Sequence, residues 1–144
     1  MAASPESGFL VIADLTGYTA YLAGSEIEHA PAIAGDNLIV SAKDGTVTAL
    51  TRKSGKVVWQ LRTNSAVESS PAVVDGVAYF GAQDGRLYAV DAATGHVRWA
   101  YDTGGRINSS PSLARGRVCI TTYAGSIFCL RQPDGTKLWS TYVK

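Results

Sequence analysis

A chain of 144 residues that is 46% apolar is long enough to bury a core and too hydrophobic to stay disordered. Its 13 basic and 12 acidic residues are scattered and leave a formal charge of +1. That balance gives no electrostatic footprint for nucleic acid or an anionic membrane, so neither partner is expected. No apolar run approaches the roughly 20 residues that a bilayer-spanning helix needs.

Residues 1–7, MAASPES, are small and polar and read as a frayed tail. The start lacks a basic n-region and Asp14 interrupts its apolar segment, so it is a poor secretory signal and a cytoplasmic location is expected. Residues 8–30 admit two readings. In one, Gly8 to Asp14 is a strand, Thr16-Gly17 a turn, and Tyr21 stands where later segments carry a tryptophan; Ala20-Tyr21, Gly24, Ile27 and Pro31 recur as Ala100-Tyr101, Gly104, Ile107 and Pro111. The other rests on the run from Phe9 through Asp14, Gly17, Tyr18 and Thr19 to Ala30. That run resembles the opening of a small bacterial family related to class III nucleotidyl cyclases, which would make Asp14 a metal-holding aspartate. The resemblance stops at Ala30, and no second metal carboxylate or base-recognising set follows.

From Pro31 onward a single pattern repeats at a spacing of 40 without a gap: Pro31, Pro71 and Pro111; Gly45, Gly85 and Gly125; Gly55, Gly95 and Gly135; Trp59, Trp99 and Trp139. Within each copy, short runs rich in Val, Leu, Tyr and Phe are closed by glycine-containing turns such as Asp75-Gly76, Asp84-Gly85 and Thr94-Gly95, which is the signature of successive antiparallel strands. Strands are predicted at 31–34, 38–42, 46–51 and 56–62; at 70–74, 77–82, 86–91 and 96–102; and at 110–114, 117–122, 126–131 and 136–142. A four-stranded unit with a period near 40 marks a propeller blade. The predicted fold is therefore all-β: three blades, 31–70, 71–110 and 111–144, preceded by a partial blade at 8–30.

Ala89, Asp91, Thr94, Gly95 and Trp99 form the pattern A-x-D-x-x-T-G-x-x-x-W, which resembles the tryptophan-docking repeat of PQQ-like propellers. The first copy keeps it as Ala49, Thr51, Ser54, Gly55 and Trp59, and the third as Cys129, Arg131, Asp134, Gly135 and Trp139. Gly95 supplies the positive φ that the turn needs, Asp91 and Thr94 can bond the turn backbone, and each tryptophan offers a large apolar face with one N–H donor. Trp59, Trp99 and Trp139, with Gly55, Gly95 and Gly135, are thus expected to be structural docking residues. In the quinoproteins of this family, the resemblance implies, the quinone rests on a disulfide between adjacent cysteines beside calcium. Cys119 and Cys129 are ten residues apart, so no quinone and no other cofactor is expected.

The cysteines fall on neighbouring strands. A three-residue loop with left-handed Gly125 would make them face each other, and a two-residue turn would not. In a reducing compartment they are expected as two buried, unpaired thiols. His29 and His96 lie in no metal or triad spacing, and His96, just past a turn, is expected in solvent. Glu28, His29, Glu68, Ser69, Asn108 and Ser109 precede the prolines of the innermost strands and are the candidate channel-facing residues.

Closed propellers use about four to eight blades, so three leave an apolar face open, and a homo-oligomer that completes the ring is expected. The favoured function is a non-enzymatic binding or scaffold module for a protein, peptide or small ligand, as the resemblance to propellers used in membrane-protein assembly and in sensor kinases implies. The competing readings are a remnant of a cyclase-like or quinoprotein enzyme, and a recombined or truncated fragment with no selected function.

Overall fold

The computed structural model describes residues 30–143. They form three sheets, each a four-stranded antiparallel meander in chain order. The first blade holds β1 (Ala32–Ala34), β2 (Asn37–Ser41), β3 (Thr46–Thr51) and β4 (Val57–Arg62). The second holds β5 (Ala72–Val74), β6 (Val77–Gly81), β7 (Arg86–Asp91) and β8 (Val97–Asp102); the third holds β9 (Ser112–Ala114), β10 (Arg117–Thr121), β11 (Ser126–Arg131) and β12 (Lys137–Tyr142). Every predicted strand from Pro31 onward is present, with ends that coincide or differ by one or two residues. The expected partial blade at 8–30, with Asp14 and Tyr21, lies outside the described residues but for Ala30.

The first strands of successive blades approach one another, β1 to β5 and β5 to β9, which sets them nearest the axis and puts β4, β8 and β12 on the rim. Each rim strand carries the same irregularity. Ala49 pairs with Trp59 but Leu50 pairs with Val57, so Val58 is left over, as are Arg98 and Leu138 in the later blades. A bulge of this kind bends and twists the strand locally, immediately before the tryptophan. It also explains why Val58 and Leu138, both 42% exposed, point to solvent in blades of otherwise different surroundings.

Between the blades lie two apolar seams. One joins Ile39, Val47, Ala49, Trp59 and Val67 to Ala78, Phe80 and Val90; the other joins Tyr79, Leu87, Ala89 and Ile107 to Val118, Ile120 and Leu130. Strand alternation places the two sets on opposite faces of the second blade, so that sheet is buried on both sides. The same tryptophan contact recurs at each seam. The indole N–H of Trp59 donates to the carbonyl of Ala92 at 3.0 Å, and that of Trp99 to the carbonyl of Gln132 at 2.8 Å. A Cβ at Gly95 would lie 2.7 Å from the Trp59 ring, and one at Gly135 would lie 2.6 Å from the Trp99 ring. Both glycines have positive φ, 82° and 74°, so turn geometry and close approach together demand glycine.

Pairing of the cysteines differs from the expected thiols. Tyr123, Ala124 and Gly125 form a three-residue loop closed by Thr122 N–H to Ser126 carbonyl at 2.8 Å, with Gly125 at φ 101°. Cys119 and Cys129 are therefore direct partners across β10 and β11 and form a disulfide. Of the two loop lengths open to the sequence, the three-residue one is present, and its register brings the two sulfurs together.

In the second-blade turn, the Asp91 carboxylate accepts the Ala93 N–H at 3.0 Å and meets the Arg98 guanidinium at 3.4 Å. The Ala93 N–H first, and Arg98 after it, hold its carboxyl below the ordinary 3.8. A depressed folded-state value means stability that is present above pH 4 or so and lost as the pH falls through that region. Urea midpoints should therefore fall more steeply between about pH 5 and pH 3 for the native chain than for Asp91→Asn, and parallel curves would refute the linkage. Chemical denaturation should also rank the indoles. Trp59→Ala, at 8% exposure, should cost about 3 to 5 kcal/mol. Trp139→Ala, at 46% exposure, should cost under about 1 kcal/mol.

Candidate functional site

Among the places in the described residues that gather side chains outside the seams are the open face of the third blade and the inner mouth between the second and third blades.

The free face follows from register. At the 40-residue spacing, Ile39 and Ala49 correspond to Tyr79 and Ala89, and then to Cys119 and Cys129; Val47 and Leu87 correspond to Ile127; Leu61 and Tyr101 to Thr141. In the first two blades Ile39, Ala49, Tyr79 and Ala89 are at most 2% exposed, because the next blade covers them. On the third blade no described residue takes that place. Ile127 and Cys119 are half-buried, Thr141 is exposed, and Trp139 is 46% exposed against 8% for Trp59. Trp139, the disulfide, Arg115 and Arg117 surround a groove of about 350 Å³. Arg117 stands at the position of Asn37, whose amide donates to the same Ala92 carbonyl that Trp59 uses, at 3.3 Å. The face thus keeps both donors of a seam, an indole and a cation in place of an amide, and lacks the acceptor.

At the inner mouth, Glu68, Gln83, Arg106, Asn108 and Tyr123 line a cavity of about 230 Å³. Gln83 donates to the Glu68 carboxylate at 2.6 Å, and the Arg106 guanidinium lies 5.4 Å from the centre of the Tyr123 ring, a cation–π distance. Glu68 and Asn108 therefore reach this cavity. Ser69 and Ser109 instead tie the chain to the neighbouring strand. The Ser69 hydroxyl accepts the Gly81 N–H at 2.8 Å and reaches the Gly81 carbonyl at 3.2 Å; Ser109 treats Thr121 the same way, at 3.2 and 2.8 Å. Glu28 and His29 lie outside the described residues. His96 is exposed. Position before a proline could not separate ties from cavity lining, because neighbouring residues there alternate between strand edge and cavity.

The docking residues take three different places. Trp59 and Trp99 sit in seams against Gly95 and Gly135; Gly55 lies in the first-blade turn at φ 72°; Trp139 faces the groove. The residues present do not fit a quinone site of the kind the repeat family implies. The disulfide bridges two strands, where that site needs adjacent cysteines, and among the described residues no three His, Cys, Asp or Glu gather as metal ligands.

Among solved structures the fold recurs in a quinohemoprotein alcohol dehydrogenase of Pseudomonas putida HK5, with 25% identity, a TM-score of 0.74, and 82% of this chain matched to 21% of that one. The corresponding enzyme of Comamonas testosteroni gives 27% identity and a TM-score of 0.73, with 81% and 21% covered. BamB from Moraxella catarrhalis gives 24% identity and a TM-score of 0.72, with 79% and 34% covered. The chain thus spans about a fifth to a third of the length of these proteins. A comparison with curated proteins finds no match. The family model described as "Outer membrane protein assembly factor BamB" matches residues 19–144, and together with the three successive blades and their repeated indole contacts this shows that the chain belongs to that family of PQQ-like propellers.

Proposed function

We propose that the chain is a non-enzymatic binding or scaffold module whose free third-blade face takes up another blade, supplied by a second copy of the same chain. The observation that carries this reading is the exposed indole of Trp139, set in register with two indoles that are each docked on a following blade. A family described by an assembly factor also favours a protein partner over a substrate.

The second copy is favoured by what its first blade leaves open. Ile33 and Val57 are 53% and 56% exposed, whereas Val73 and Val97, their counterparts, pack on the preceding blade. The turn there holds Gly55 at φ 72°, and the carbonyl of Arg52 occupies the place of the Ala92 and Gln132 acceptors. Leu38, Val40 and Leu50 are already buried, so contact would be made at the outer rim of the blade. Both rims are basic, Arg115 and Arg117 on one side and Arg52 and Lys53 on the other. Charge then opposes the association and apolar contact drives it.

Two measurements test this. Size-exclusion chromatography with light scattering across the micromolar range should show concentration-dependent association, stronger at high salt, where like-charge repulsion is screened. Trp139→Ala should reduce it at least about tenfold, the scale of one buried aromatic anchor. A monomer at every concentration, or association indifferent to Trp139, would overturn the second copy as the occupant.

A further inference from the structure

The disulfide sits inside the face just proposed for docking, and the inference drawn from it rests on that proposal. Cys119 and Cys129 stand where Ile39 and Ala49, then Tyr79 and Ala89, are pressed between blades. In those blades the packing of a neighbour holds the second and third strands together from this side. On the third blade no described residue packs there, and the cross-link ties β10 to β11 at the same point. Cys129 is also the register partner of Trp139, so the bond lies next to the strand position that presents the indole. Cys129 is buried at 2% exposure, whereas Cys119 is half-buried and lines the groove, so a small thiol would reach the bond at the Cys119 sulfur.

We infer that the Cys119–Cys129 disulfide is a redox control on this docking face. Joined, it holds β10 and β11 in the arrangement that presents Trp139; opened, it leaves that side of the sheet without a tie and weakens docking. The opening reaction needs a dithiol reductant. A thiolate of the reductant attacks one sulfur, forming a mixed disulfide and releasing the other cysteine. The second thiol of the reductant then displaces the remaining cysteine. One S–S bond breaks in the protein, one forms in the reductant, and two electrons and two protons are left on Cys119 and Cys129 as thiols. Arg115 and Arg117 at the same groove favour the thiolate that leaves. Linkage makes the effect reciprocal: if the joined form docks better, docking must also protect the bond from reduction.

The test uses the full chain, oxidised or treated with dithiothreitol, and a Cys119→Ser/Cys129→Ser variant without reductant. Sedimentation should show association weakened about tenfold on reduction, the scale expected when a pre-organised surface is loosened, and weakened equally in the variant. Hydrogen exchange should rise at residues 117–131 and stay unchanged at 77–91. Thiol release should be slower in the concentrated, associated protein than in dilute protein. Equal association in both redox states, or exchange that does not rise at 117–131, overturns the redox inference and leaves docking standing. Absence of association in both states overturns the docking proposal and this inference with it.

Discussion

The contact of an indole with a glycine turn on the next blade organises this molecule. An isolated four-stranded meander has two apolar faces and nothing to cover them. The tryptophan covers part of one, and its N–H fixes where the next blade must stand by finding a single backbone carbonyl, Ala92 for Trp59 and Gln132 for Trp99. The bulge one residue earlier sets the rim strand locally, and glycine at the receiving turn lets the ring approach the backbone. Three local devices thus act together, and their repetition at a constant spacing turns a sheet into a stack.

Because the unit is a contact between neighbours, its energetic meaning changes at an end of the described stack. Trp59 and Trp99 belong to buried seams, while Trp139, at the equivalent register position, stands at a groove. The substitutions around it are consistent with a face of different character. Small and apolar partners become a disulfide, Leu87 becomes Ile127 and Tyr101 becomes Thr141, and an arginine stands where Asn37 bridges the first seam. The proposed module is built on that difference: the same chemistry that joins blades within the chain is offered outward.

The inner mouth has another logic. Paired serines at the ends of the linkers close the first strand of a blade onto its neighbour through backbone groups, which leaves Glu68, Asn108 and Arg106 to face a small polar cavity. Their partners, Gln83 and Tyr123, come from hairpin turns of the second and third blades, so the cavity is assembled by blade packing and not by any one stretch of chain.

Much of the fold was legible without coordinates because strands and turns answer to local pattern. Alternating apolar runs, left-handed glycines and a period of 40 are sufficient to specify twelve strands and their order from Pro31 onward. The site was legible only in part. Nothing near Trp139 or Ser109 in sequence says which side chain meets a neighbour and which meets solvent, since burial depends on whether another sheet arrives at that face. The disulfide shows the same division: spacing left two loop lengths open, and the three-residue loop around Gly125 decided that two sulfurs ten residues apart would meet. Sequence determined the blades; tertiary structure decided which of their faces are covered, because covering a face takes atoms from a distant part of the chain.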